Sequence, residues 1–405
     1  MANFTSLRST SKPAIQAFRT EPSLDAGAEI TASRSLLIGQ RTPEPEPRAA
    51  ILLGKISEHA VSKNRSHWGV WLDATFPHVM LIAGKRGSGK SYDLGIITEG
   101  LCATAASDIA FGTEDFAVIL FDTQSQFWTL GTESAKLPEG DASILDSWGI
   151  KGGKIHQPTV YRPRGTPSVG SFEEEFSLRP SDLGGSDWLG LLDLERFGAS
   201  GQCLIGARQA MPSDDFSVSD MIDWIDSPDA VDSFAENTRN AVRWRLQAHL
   251  NTGLFDESAE NITTRLASRG SKSIVQLADL DEDVKSVVVA VIMRKILSWA
   301  GPAQRRRKME SLTGQGTSDD ESIAPRIWVM IDEAQLICPS DRDTSARRVV
   351  VDYVKRGRDA GLSLVLATQQ PSALDNAAIS QADLVLIHKL TIDSDIQAAT
   401  ARMPA

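Results

Sequence analysis

Residues 79–91 confine the fold of this chain more tightly than any other stretch. Val79-Met80-Leu81-Ile82-Ala83 is a compact apolar run, and Gly84-Lys85-Arg86-Gly87-Ser88-Gly89-Lys90-Ser91 follows it without a spacer. A short apolar run without alternation reads as a strand buried on both faces, the habit of parallel sheets. Leu94, Ile97 and Leu101 then recur at helical spacing. The eight residues between satisfy G-x-x-x-x-G-K-[ST] in the strand-turn-helix setting that a phosphate-cradling loop requires, and that setting argues against a mere glycine turn. Glycines let backbone N–H groups close around phosphate oxygens, and the helix start adds positive potential. On this reading Gly84, Lys85, Arg86, Gly87, Ser88, Gly89, Lys90 and Ser91 hold ATP. Lys90 reaches the β- and γ-phosphates and Ser91 ligates Mg²⁺.

A loop of this kind needs acidic partners from the same sheet edge. Asp332-Glu333 directly follows the apolar run Ile327 to Ile331, where an α/β site forms. In P-loop enzymes the first carboxylate of such a pair helps to hold Mg²⁺ and the second orients the attacking water, which assigns Asp332 to metal and Glu333 to catalysis. Leu362 to Ala367 is another buried strand, and polar amides, Gln369 and Gln370, follow at its end. Gln369 is the candidate γ-phosphate sensor, with Gln370 as the other amide and a plain polar turn before Pro371 as the bland account. Lys355-Arg356-Gly357-Arg358 closes the preceding helix, where cations suit the helix dipole. The alternative role is an arginine finger from a neighbouring subunit, with Arg358 ahead of Arg356.

The remainder of the 405 residues sorts around this frame. With 41% hydrophobic and 23% charged residues, the chain is an ordinary globular sequence, and collagen-like, wholly disordered and disulfide-scaffold readings fall away. Three widely spaced cysteines, Cys102, Cys203 and Cys338, offer no zinc spacing and suit a reducing compartment as small core residues. A formal charge of −11 opposes indiscriminate binding to nucleic acid or anionic lipid, so any DNA contact must be local. No apolar signal core opens the chain, and the densest apolar stretch, Val287 to Met293, is too short for a bilayer, so no membrane is expected and the cytoplasm is the default. Residues 1–48, poor in large apolar side chains and ending in Thr42-Pro43-Glu44-Pro45-Glu46-Pro47, are expected to be a flexible tail and linker. Residues 49–130 form the first part of an α/β core, 131–320 a largely helical insertion, and 321–405 the second part. Within the insertion, a helix is expected from Ser227-Pro228 toward Gly253 and another from about Asp281 to Gly301. Pro302 to Pro325, including Arg305-Arg306-Arg307-Lys308, reads as an exposed loop.

From about Leu52 to Ile396 the chain resembles the HerA branch of the HerA/FtsK superfamily of P-loop ATPases. The resemblance rests on GKRGSGKSYDLG, FDTQSQF, VYRPRG, WVMIDEAQ, KRGRDAGLSLVLATQQPSALD and ISQADLVLIHKL. It implies a RecA-like core with a mostly parallel sheet, a homo-hexameric ring with nucleotide between subunits, and DNA passing through the pore. Two functions follow from it. One is a motor that hydrolyses ATP to move along DNA beside a partner nuclease, with Arg305 to Lys308 as a candidate DNA contact. The other is a nucleotide-controlled platform that binds and regulates an effector enzyme, as in HerA-like antiphage defence. The chain departs from the family in having Ser125-Gln126 where relatives have Gly-Glu, Gln335 where His is frequent and Gln370 in place of a frequent arginine. Little room is expected for the family's amino-terminal β-barrel between Ala49 and Met80, and the helical C-terminal segment is expected to be missing after Ala405.

Overall fold

Side chains that alternate between two faces build a central sheet with a core on each side. The computed structural model describes residues 27–30, 35–39, 47–56, 68–104, 107–132, 145, 150, 155–250, 252–314 and 324–401. In chain order its strands are β1 (Gly27–Ile30), β2 (Ser35–Ile38), β3 (Ala50–Lys55), β4 (Gly69–Asp73), β5 (Val79–Ala83), β6 (Ala110–Phe111), β7 (Ala117–Asp122), β8 (Thr159–Pro163), β9 (Glu173–Phe176), β10 (Lys272–Gln276), β11 (Ile327–Ile331), β12 (Leu362–Thr368) and β13 (Leu384–Ile387). The helices are α1 (Lys90–Leu101), α2 (Gly185–Leu191), α3 (Ala199–Ala210), α4 (Val218–Ile225), α5 (Pro228–Ser233), α6 (Glu236–Leu250), α7 (Ile262–Leu266), α8 (Glu282–Thr313), α9 (Ala334–Ile337), α10 (Ser345–Arg356), α11 (Asn376–Ile379) and α12 (Asp393–Thr400).

Eight strands run in the order β13-β5-β12-β11-β7-β10-β8-β9, and every ladder between them is parallel. In β11, Ile327, Val329 and Ile331 enter one core while Trp328 and Met330 enter the other. Both faces are covered, which is why these strands read as unbroken apolar runs. On the first face Trp188 of α2, Leu204 of α3, Met221 of α4, Leu246 of α6, Val288 of α8 and Tyr353 of α10 fill the core. On the second, Leu94, Ile97 and Leu101 of α1 pack with Ile51 of β3 and Leu72 of β4. This is the expected α/β P-loop architecture of the RecA-like type.

Register places the functional ends in line. Ala83 lies opposite Thr368 and Ile387, and Ile331 lies opposite Leu366 and Phe121. The residues that leave β5, β12, β11, β7 and β13 therefore share the carboxyl edge of the sheet, where α/β proteins bind ligands.

Four expectations need correction. Residues 27–30 and 35–38, assigned to a flexible tail, are strands of a second, five-stranded sheet ordered β1-β2-β4-β3-β6. Leu37 of β2 is buried, and β2 runs parallel to β4, a partner more than thirty residues downstream that local composition cannot reveal. The N-terminal sheet thus has more room than residues 49–80 alone allow; residues 1–26 and the prolines Pro43 and Pro45 lie outside the described residues. Residues 131–320 are not simply helical: they contribute β8, β9 and β10 to the main sheet, with β10 seated between β7 and β8. The single helix expected toward Gly253 is two, α5 and α6, each begun separately. Finally, the loop expected from Pro302 is helix as far as Thr313, since Ala300 and Ala303 continue the buried row past Pro302 and outweigh the one lost hydrogen bond. Arg305 to Lys308 therefore sit on α8, while residues 315–323 lie outside the described residues. Cys102, Cys203 and Cys338 are free and buried, as expected of small core residues. Among the described residues no helix is long and apolar enough to cross a membrane.

Candidate functional site

The loop after β5 owes its shape to contacts on both flanks. The Gly84 N–H donates to the Thr368 carbonyl at 3.2 Å and the Lys85 N–H to the Lys389 carbonyl at 3.0 Å, so the loop is hung between the exits of β12 and β13. Gly89 caps α1 with φ 112°, a left-handed conformation that glycine adopts without strain. At Gly84 a Cβ would stand 2.5 Å from Ser88 Oγ and 2.6 Å from His388 Cβ, so only glycine fits. His388 in turn bonds Asp93 of α1 through Nε2 at 2.7 Å. Sequence reasoning did not single out this brace, because only the order of strands shows that the exit of β13 adjoins the loop.

Lys90 and Glu333 lie 243 positions apart, yet Lys90 Nζ reaches Glu333 Oε1 at 3.5 Å with both side chains 5% exposed. Glu333 has φ 48° and ψ 53°, a left-handed backbone that costs a non-glycine residue about 1–3 kcal/mol and is characteristic of functional sites. Its Oε1 also accepts from Gln369 Nε2, and Oε2 accepts from Gln335 Nε2 at 2.7 Å. Gln335 Oε1 receives the Thr368 hydroxyl at 2.7 Å. Of the two candidate amides Gln369 is thus the one at the acid; Gln370 is exposed and contributes its backbone N–H to Thr368 Oγ1.

A cleft of about 700 Å³ opens here, lined by Arg86, Lys90, Ser91, Gln124, Gln126, Glu333 and Gln369 among others. Gln124 and Gln126 are set by the turn after β7. The Asp122 carboxylate accepts the N–H groups of Gln124, Gln126 and Phe127 at 3.2, 3.0 and 2.8 Å, and Ser125 takes φ 56°. Burial pushes the Asp122 carboxyl up, against the pull of those bonds. A carboxylate ending a buried strand was the signal that this turn is organised.

Asp332 is fully buried, and neither of its carboxylate oxygens has a hydrogen-bond partner. Burial first, then the neighbouring Glu333, push its carboxyl up to about 7, while Lys90 pulls the other way. Such an orphaned pair of oxygens fits a hard divalent cation, which takes oxygen ligands, and the Ser91 hydroxyl at the loop is the second donor of matching chemistry. Among the described residues no cluster of three or more His, Cys, Asp or Glu forms a self-sufficient metal cage, so a cation here would also draw on its nucleotide and water.

Arg358 is not brought to this cleft. It stands in a short turn before β12, a strand of seven residues whose far end carries Gln369. At about 3.3 Å per residue, roughly 20 Å of strand separates the two ends. Beside that turn lies a cleft of about 790 Å³ lined by Arg305, Arg307 and Lys308 of α8 and by Lys355, Arg356 and Asp359.

Comparison with known proteins gives the chain a family. Residues 61–296, more than half of the chain, match the family model described as the central domain of helicase HerA. A probable helicase of Methanocaldococcus jannaschii is 28% identical over 123 residues, 30% of this chain and 22% of that protein. The DNA double-strand break repair helicase HerA of Sulfurisphaera tokodaii is 26% identical over 142 residues, 35% of this chain and 26% of its own length. The matched segments span about a quarter of these relatives. The structure of VirB4 of Thermoanaerobacter pseudethanolicus aligns over 89% of both chains at 14% identity and a TM-score of 0.49. A phosphate loop facing a buried acidic pair across one intervening strand, within a sequence that matches this family over most of its core, identifies the chain as a member of the HerA central-domain family of HerA/FtsK-like P-loop ATPases.

Proposed function

We propose that this protein is a HerA-like ring ATPase that couples ATP hydrolysis to movement along, or processing of, DNA. One observation carries the reading: Lys90 and Glu333, 243 positions apart in sequence, meet at a single cleft, where Gln369 also bonds Glu333. The loop from Gly84 to Ser91 binds the phosphates, and Lys90 neutralises charge on the β- and γ-oxygens. Glu333 orients the water and accepts its proton as the oxygen attacks the γ-phosphorus and ADP leaves. Gln369 senses the γ-phosphate through its amide N–H groups. Ser91 and Asp332 would hold Mg²⁺, which supplies neutralisation of phosphate charge when bound.

Arg358 serves a neighbouring copy. Its distance from its own cleft and the basic surface beside it support an arrangement in which this edge meets the nucleotide of the next subunit, as in a homo-hexamer. The name of the Sulfurisphaera tokodaii relative, a DNA double-strand break repair helicase, supports DNA as the track, while a partner nuclease rests on the family resemblance alone. DNA-stimulated turnover tests the reading: the full chain should hydrolyse ATP faster with duplex DNA than without it, and an identical rate across a range of salt would overturn the motor. The charge of −11 favours a second reading, a nucleotide-controlled platform for an effector enzyme in antiphage defence, in which turnover is indifferent to DNA and an effector co-purifies.

A further inference from the structure

Both oxygens of the Glu333 carboxylate are already engaged, and by amides of different standing. Gln369, at the end of β12, stands on the cleft and donates to Oε1. Gln335, two residues after Glu333, donates to Oε2 at 2.7 Å and is itself anchored at Oε1 by the buried Thr368 hydroxyl at 2.7 Å. Which way the Gln335 amide faces follows from chemistry: an ionised carboxylate only accepts, so the NH₂ must face Glu333 and the carbonyl oxygen must face Thr368. The contacts close a ring, since Thr368 and Gln369 are consecutive residues of the chain.

We propose that Gln335 is the positioning residue of Glu333 and that the two glutamines divide the task. This rests on the assignment of Glu333 as the residue that orients water. With both Gln369 and Lys90 donating to Oε1, that oxygen has neither of its two lone pairs left for a water. Gln369 is the releasable contact, because a γ-phosphate in the cleft offers its NH₂ a competing anionic acceptor; when it turns, Oε1 is freed to take the proton of the water. Gln335 has no such competitor, being tied to Thr368, and it keeps Oε2 fixed so that the freed oxygen points at the water rather than swinging with the side chain. The left-handed backbone at Glu333 gives this hold something to resist. In the sequence, Gln335 stood out only as a departure from the family's frequent histidine; its partner is visible only once β11 and β12 lie side by side.

The test is single-turnover and steady-state ATP hydrolysis by the full chain, with affinity read separately from a fluorescent ATP analogue. Gln335→Leu should lower kcat by about tenfold or more, the cost of a misplaced catalytic group, while analogue affinity stays within about threefold. Gln335→His should restore most of the rate, since an imidazole can donate to Glu333 and accept from Thr368. In a Glu333→Gln background, Gln335→Leu should slow turnover no further. Native kcat in Gln335→Leu, no advantage of histidine over leucine in two folded variants, or an additive loss in the Glu333→Gln background would each overturn the proposal. If Gln335→Leu does not fold, Thr368→Val removes the anchor, together with the acceptor of the Gln370 N–H, and should still lower kcat with affinity kept; an unchanged kcat there is equally fatal. Full turnover in Glu333→Gln alone overturns instead the assignment of Glu333 beneath it.

Discussion

At the scale of single residues, the site is a problem in placing charge out of water. Lys90 and Glu333 are both buried, so each is tolerable chiefly because the other is near and because two amides complete the shell of the carboxylate. The two members of this pair act on different steps. Lys90→Ala should weaken nucleotide binding measured by calorimetry, whereas Glu333→Gln should bind as the native chain does and turn over about a hundredfold more slowly or worse. Equal, undiminished turnover in both variants would refute the assignment. Asp332 differs from both in that neither of its carboxylate oxygens has a hydrogen-bond partner, and burial holds its carboxyl up to about 7.

Elements hold these residues by means that sequence shows unevenly. β5, β11 and β12 were legible because continuous burial leaves an unbroken apolar run, and each run gives way to glycine or polar residues, Gly84, Asp332 and Gln369. β10 was not legible, since Lys272, Ser273 and Gln276 interrupt it. Lys272 is nevertheless buried, with Nζ donating to the Thr113 and Phe116 carbonyls at 3.0 and 2.7 Å, which pins the start of β10 to the turn before β7. Burial pushes its ammonium down to about 8 from the ordinary 10.5. Between those values the unfolded chain holds a proton that the folded chain has shed, so stability rises with pH through this window and is lower below it. In urea melts from pH 8 to 10 the native chain should gain on Lys272→Met, and a constant difference would show that Lys272 does not titrate there. The loop after β5 makes a second case. Its motif was plain in sequence, whereas the wall against it, His388, was not. Gly84→Ala should fold yet lose about tenfold or more in nucleotide affinity, because neither His388 Cβ nor the loop can retreat without about 1–3 kcal/mol of strain. Native affinity in that variant would mean that the loop is looser than its contacts imply.

For the whole molecule, the same strand order that assembles one site leaves Arg358 without a phosphate of its own. Arg358→Ala and Glu333→Gln subunits, each inactive alone, should recover part of the activity when mixed, because some interfaces then pair an intact arginine with an intact glutamate. No recovery from rings shown by native mass spectrometry to be mixed would remove Arg358 from the reaction. The small N-terminal sheet was the least legible part at this scale: β1 and β2 are four residues each, and only pairing with a distant strand makes them structure.

β12 has a consequence at this scale too. It is gripped along its length by β5 on one side and β11 on the other, with Gln369 leaving one end and the Arg358 turn entering the other. A rod clamped in this way resists stretching, so on the proposed assignment of Gln369 and Arg358 a displacement at one end would be carried to the other. In the ring proposed above, such a strand would let sites fire in succession without any separate messenger.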